Sequence, residues 1–215
     1  MTTCRGQRGF TLLEIIVVLG VLAILLGTAM PLVTAAIDAD HRTEVQRELE
    51  ELGTALDSYY YEHAAFPASL RTSGFFGQHL QPGVSNTAVI DPFGGADYLY
   101  SVNAAANTAT AYSRGENAVD DGVANEEFVV VVHGAVPGTR RTMLRMRLIA
   151  EVLADFIESG GSVAGDWPTL RARIGLGADY DDDGFGTGFD WTASTYTLKS
   201  AGPDRVLGNG DDITL

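Results

Sequence analysis

The sequence predicts an α+β chain: a long N-terminal helix packed on an antiparallel sheet, with a second helix-plus-sheet lobe in tandem. Three observations lead there. An apolar run from Phe10 to Val33 carries Glu14 as its only charge, and a periodic apolar stripe continues beyond it to about Tyr61. Short β-branched or aromatic runs follow, and the same landmarks then return in the same order further along the chain.

Bulk properties set the frame. With 215 residues and 46% hydrophobic content, the chain can bury a real core in one or two domains. A formal charge of -14 argues against a nucleic-acid partner, because phosphate binding needs a basic face. Divalent cations are the more natural guests. Cys4, the only cysteine, lies in a segment expected to be removed, so metal or packing has to supply any staple.

The N-terminal element is the most specific. MTTCRGQRG offers Arg5 and Arg8 and no acid, and the run after it is about 24 residues, roughly 36 Å as a helix, enough to span a bilayer. The two arginines hold the N-terminus on the cytoplasmic side. A secretory signal peptide is the first alternative, but its apolar region is about 7 to 15 residues long. A plain single-pass anchor is the second, and it gives no reason for Glu14 inside hydrocarbon, where an unpaired charge costs at least about 2.5 kcal/mol.

Gly9, Phe10, Thr11, Leu12, Leu13 and Glu14 resemble the start of the type IV pilin and type II secretion pseudopilin superfamily. The resemblance implies that prepilin peptidase cuts after Gly9 and that the new terminus becomes N-methyl-Phe10. It also implies a pilin-like fold and a single-pass protein of the bacterial inner membrane with its head in the periplasm. Glu14 would then pair with the terminal amine of a neighbouring subunit, turning two costly buried charges into one neutralised contact that sets register. Pro31 removes an intrahelical hydrogen bond, so a kink or local melting is expected there.

Beyond Pro31, Val45, Leu49, Leu52, Leu56 and Tyr59 recur at helical spacing while Arg42, Glu44, Arg47, Glu48, Glu50 and Glu51 take the other faces. A coiled coil would need clean heptads, which are missing. Phe66 and Pro67 end the helix. Strands are expected over 98–102, 108–112 and 128–133. Before them Asp91, Pro92, Phe93, Gly94 and then Tyr98 resemble the Asp-Pro-Trp-Gly turn of major pseudopilin heads.

The second lobe is read from repeated landmarks. Phe66-Pro67 with Leu70-Arg71 is answered by Trp167-Pro168 with Leu170-Arg171, after a helix carrying Met146, Ile149, Leu153, Phe156 and Ile157. Asp91 to Gly94 is answered by Asp183 to Gly186, and Ser113-Arg-Gly-Glu-Asn117 by Ser200-Ala-Gly-Pro-Asp204. Glu126-Glu127-Phe128 is set against Asp211-Asp212-Ile213. A chance arrangement of common turn residues is the alternative. The expected division is a leader over 1–9, a transmembrane and filament-core helix over 10–33, a first head lobe over 34–136, and a second lobe over 137–215 with an acidic C-terminal loop.

Two acidic loops are candidates for structural Ca²⁺. The stretch from Ser200 to Ile213 resembles the calcium loop of the major pseudopilin, which implies Asp204, Asp211 and Asp212 as ligands. Asp179, Asp181, Asp183 and Asp190, with Gly184 at the sixth place, fit an EF-hand-like spacing, although Asp replaces the closing Glu. The competing reading makes Asp183 to Gly186 a simple turn. In the first lobe Asn117, Asp120, Asp121, Glu126 and Glu127 form a degenerate equivalent.

No catalytic site is expected, because His41, His63, His79 and His133 lack metalloprotease spacing and no nucleophile elbow or phosphate loop occurs. The resemblance implies a structural subunit of a type II secretion pseudopilus, with itself, other pilins or pseudopilins, prepilin peptidase and the inner-membrane assembly platform as partners. A type IV pilus subunit for adhesion, motility or DNA uptake is the alternative, and a membrane-tethered calcium-binding module that never polymerises is a third.

Overall fold

The computed structural model describes residues 11–81 and 87–215. Gly9 and Phe10, with Cys4, Arg5 and Arg8, lie outside the described residues. Helix α1 runs from Leu12 to His63. The chain divides into two units inside this helix, between Glu44 and Val45.

The N-terminal unit is helical from Leu12 onward. Thr11 caps it, its Oγ1 accepting from the Glu14 N–H at 3.3 Å. Of the kink or local melting expected at Pro31, the melting does not occur, since α1 is unbroken through it. Proline costs the helix one bond to the carbonyl four residues back, and the surrounding good helix formers sustain the rest. Just beyond, the Thr34 hydroxyl donates to the Met30 and Pro31 carbonyls at 3.2 and 3.0 Å.

The second unit, 45–215, holds two hydrophobic cores and two three-stranded antiparallel meanders. The first core joins one stripe of α1 to β1 (Leu99–Asn103), β2 (Thr108–Tyr112) and β3 (Val129–His133). Val45, Leu49, Leu52 and Leu56 are buried as expected, but Tyr60 rather than Tyr59 completes the stripe. A step of four from Leu56 keeps Tyr60 over the same face, whereas Tyr59 is rotated to its edge. Glu48, expected on a solvent face, is also buried, and it accepts from the Tyr98 hydroxyl at 2.7 Å. Alternation along β2 turns Ala109 and Ala111 to the core. Gly53 gives β3 room, because a Cβ there would meet Val130 Cγ2 at 2.9 Å.

The chain passes from β3 to helix α2 (Ala135–Glu158) through Gly134 alone, so the expected boundary near Pro137 lies in the first helical turn, where proline is tolerated. Met146, Ile149 and Leu153 face the second core; Ile157 is exposed, Phe156 taking the contact instead. Helix α3 (Trp167–Arg173) is capped by Asp166, and the Trp167 indole donates to the Tyr180 carbonyl at 2.8 Å. The second meander comprises β4 (Asp190–Thr192), β5 (Thr197–Ser200) and β6 (Ile213–Thr214). Arg140 pairs with Asp57 at 2.8 Å and Arg141 donates to the Glu62 carbonyl at 2.7 Å, tying α2 to the end of α1.

Candidate functional site

Glu14 sits at the third position of α1, three residues after the capping Thr11, the pattern of a capping box. A carboxylate there also suits the positive end of the helix dipole. The sequence reading assigned Glu14 only to a neighbouring subunit and missed this local role, although Thr-Leu-Leu-Glu carries its signature. From Leu12 to Ile37 the large apolar side chains whose exposure is resolved are solvent-facing, from 47% at Leu22 to 78% at Leu12. Such a helix is long and apolar enough to cross a membrane.

In the second unit the paired landmarks converge on two matching clasps. Asp91 is fully buried; its carboxyl accepts from the Ser113 hydroxyl at 2.9 Å, the Arg114 N–H at 2.8 Å and the Phe93 N–H at 3.1 Å. Asp183, 1% exposed, accepts from the Ser200 hydroxyl at 2.6 Å and from the Phe185 and Thr187 N–H groups, both at 2.9 Å. Each serine oxygen also accepts from the glycine two residues on, Gly115 at 2.9 Å and Gly202 at 3.2 Å. Both glycines have positive φ, 62° and 68°, which a side chain would strain. A carboxyl, a serine at or just past a strand end and a left-handed glycine thus close each lobe in the same way. Sequence reasoning aligned these residues but did not foresee the clasp.

The clasp decides how the 179–190 loop is used. Asp183 points into the protein, Asp181 accepts from Arg171 Nε at 2.5 Å, and Arg145 Nη1 donates to the Asp182 and Asp183 carbonyls. Burial lowers the Arg145 pKa, yet the guanidinium still places a cationic group against this loop. Asp179 lies in a short 3-10 turn and Asp190 opens β4, both exposed. The structure does not gather these four acids around a point. The geometry follows the simple-turn alternative.

The C-terminal loop is built differently. Asp204 Oδ1 accepts from the Val206 N–H at 2.8 Å and Oδ2 from the Asn209 amide at 2.6 Å. Asp211 Oδ2 accepts from the Asp204 N–H at 3.2 Å, and Asp212 accepts from the Gly208 N–H at 2.9 Å. All three carboxylates line one exposed loop, whose base is closed where a Cβ on Gly202 would meet the Asp211 carbonyl oxygen at 2.2 Å. The first lobe repeats this on a smaller scale. Asn117 Oδ1 accepts from the Val119 N–H at 2.9 Å, its amide donates to Asp121 at 2.6 Å, and Glu126 accepts from the Asp121 N–H at 3.0 Å.

Comparison with known proteins supplies the wider context. The family model described as the prokaryotic N-terminal methylation motif matches residues 4–30. Toxin coregulated pilin of Vibrio cholerae is 32% identical over 118 residues, covering 50% of this chain and 51% of that protein. Type II secretion system core protein G of Klebsiella michiganensis is 35% identical over 65 residues, covering 30% of this chain and 46% of that protein. The Pseudomonas aeruginosa protein of the same name matches equally, at 35% over 65 residues. The chain spans about half the length of the curated relatives it matches. No solved structure matches. The methylation motif, the apolar helix that it opens and these two groups of relatives support a likeness to the type IV pilin and type II secretion pseudopilin superfamily.

Proposed function

We propose that this chain is a structural subunit of a type II secretion pseudopilus. Its N-terminal helix anchors it in the bacterial inner membrane with the head in the periplasm. Prepilin peptidase cuts between Gly9 and Phe10, and the mature subunit polymerises with itself and other pilins or pseudopilins at the inner-membrane assembly platform. The observation that carries this reading is the apolar, exposed N-terminal half of α1, with a single carboxylate at its start. Such a surface requires lipid or other apolar helices around it, and a filament that draws subunits out of the membrane supplies each in turn. Glu14 would meet the amine of an adjacent subunit as that exchange occurs.

The Asp91 turn, the C-terminal acidic loop and the similarity to core protein G support the secretion role. Similarity to toxin coregulated pilin over 118 residues favours a second reading, a surface pilus subunit. A non-polymerising calcium-binding module remains distinct from both, since Glu14 would serve only its own helix end there and meet no neighbouring amine. The matched clasps support descent of the head from one lobe duplicated in tandem, with residues 137–215 as the second copy.

Ca²⁺ belongs to the same proposal. Asp204, Asp211 and Asp212 offer hard oxygen donors on one Gly-rich loop, the chemistry that this ion prefers, although the structure does not gather the three around one point. When bound, the ion would supply the cross-link between loop start and loop end that a disulfide supplies elsewhere.

The deciding experiment compares proteins released to the medium by the wild-type strain and by a strain lacking this gene. Loss of particular exoproteins, with their retention in the periplasm, is expected. An unchanged set of released proteins contradicts the secretion role and leaves the surface pilus.

A further inference from the structure

Sequence spacing gave the histidines no joint role, but the fold brings two of them together. His63 ends α1, and His79 comes from the loop after it, where its side chain is only 8% exposed. One ligand atom from each of Glu62, His63 and His79 lies within 4.8 Å of the others. Among the described residues, no other three His, Cys, Asp or Glu side chains gather so closely.

Hydrogen bonds set the chemistry of both rings. His63 Nδ1 lies 3.0 Å from the Tyr59 carbonyl oxygen. A carbonyl can only accept, so Nδ1 carries the proton and Nε2 the lone pair. His79 Nδ1 lies 3.3 Å from Ser58 Oγ, and its Nε2 lies 3.4 Å from Glu62 Oε2. The serine hydroxyl can accept from Nδ1 as readily as donate to it, so Nε2 can also present a lone pair. The Tyr59 ring stacks on His63 with centroids 4.1 Å apart and meets the His79 ring edge-on at 5.3 Å, which restrains both imidazoles. Metal-binding histidines characteristically donate their remote N–H to a carbonyl or similar acceptor, which fixes tautomer and ring orientation.

We propose that Glu62, His63 and His79 form a binding site for a divalent transition-metal ion, with Zn²⁺ as the best fit. Two imidazoles and one carboxylate are the donor set Zn²⁺ accepts, whereas Ca²⁺ prefers oxygen donors alone. The site joins the last turn of α1 to the 72–80 loop, so metal bound there cross-links two segments of a chain whose only cysteine is Cys4. This site is separate from the acidic loop and does not depend on which filament the chain builds.

The test uses the full chain in detergent, with Zn²⁺ alone as probe, competed against a chromophoric chelator. One saturable Zn²⁺ per chain is expected, undisturbed by millimolar Ca²⁺. His63→Ala and His79→Gln should each weaken it by at least about 100-fold, since even loss of a histidine's outer partner costs 10- to 100-fold. Glu62→Gln should weaken it by about tenfold, and Asp204→Ala should leave it unchanged. Should His79→Gln fail to fold, the exposed His63 carries the test, with the unfolding temperature of metal-free His63→Ala confirming its fold. Zn²⁺ must also raise the wild-type unfolding temperature and leave that of His63→Ala unmoved. Absence of a 1:1 site, or full affinity in both histidine variants, overturns the proposal.

Discussion

Asp183→Ala isolates the clasp of the second lobe. The substitution leaves the Phe185 and Thr187 N–H groups and the Ser200 hydroxyl without their acceptor. Ser200 can rotate, and Thr187 is only partly buried, so water can serve it; Phe185 N–H is the group with no recourse. At about 1–3 kcal/mol for each buried group left unsatisfied, the loss comes to about 3 kcal/mol. For a chain of this size that lowers the unfolding temperature by roughly 6–12 °C. Asp183→Asn keeps an oxygen for both N–H groups, and its amide can donate to Ser200 Oγ, so it should cost less than about 1.5 kcal/mol. Both tryptophans, Trp167 and Trp191, belong to the second core, which makes their fluorescence a direct reporter in detergent-solubilised full chain. The reasoning is refuted if alanine and asparagine destabilise equally. An asparagine variant that loses only a Ca²⁺-dependent part of its stability would instead restore Asp183 as a metal ligand.

Other outcomes follow from the same geometry. Chelation of Ca²⁺ should lower the unfolding temperature of the wild type and leave Asp204→Ala and Asp211→Ala unmoved; an unchanged wild type would exclude a calcium staple. Gly184→Ala should destabilise by more than about 2 kcal/mol in thermal melts, because its Cβ would stand 2.0 Å from the Gly138 carbonyl oxygen, a backbone atom that cannot swing aside. The hydrogen bond from Arg71, at 2.5–2.6 Å, holds the Asp97 carboxyl below the ordinary carboxylate range. Its contribution is therefore present above the unfolded aspartate pKa and is lost as pH falls through the lower folded value. Asp97→Asn should flatten the acid limb of a stability-versus-pH curve slightly, by less than about 1 kcal/mol, because the pair is half exposed.

The helix and the strands were legible because each has one dominant period. Apolar residues at spacings of three and four located α1 to within two residues of its end at His63, and β-branched runs located β1 to β3 to within one. What periodicity could not show was polar burial. Glu48 reads as a surface charge until Tyr98, fifty residues away, supplies its partner. Asp183 reads as one acid among several, and only the fold sets it against Ser200 while giving Asp181 to Arg171. His63 and His79 are sixteen residues apart, a spacing set by a loop, which no helical or strand period encodes. Internal repetition was the exception: aligned landmarks paired Asp91 with Asp183 and Ser113 with Ser200, although not the contacts between them.

The central claim is that this chain polymerises through its N-terminal helix, and the sheared or pelleted filament fraction tests it most directly. Mass spectrometry of wild-type filaments should find the subunit beginning at N-methyl-Phe10. Glu14→Ala should reach the membrane in normal amount and be missing from filaments, even though Thr11 still caps its helix. Glu14→Ala present in filaments at the wild-type level, or wild-type chain confined to the membrane, would contradict the account.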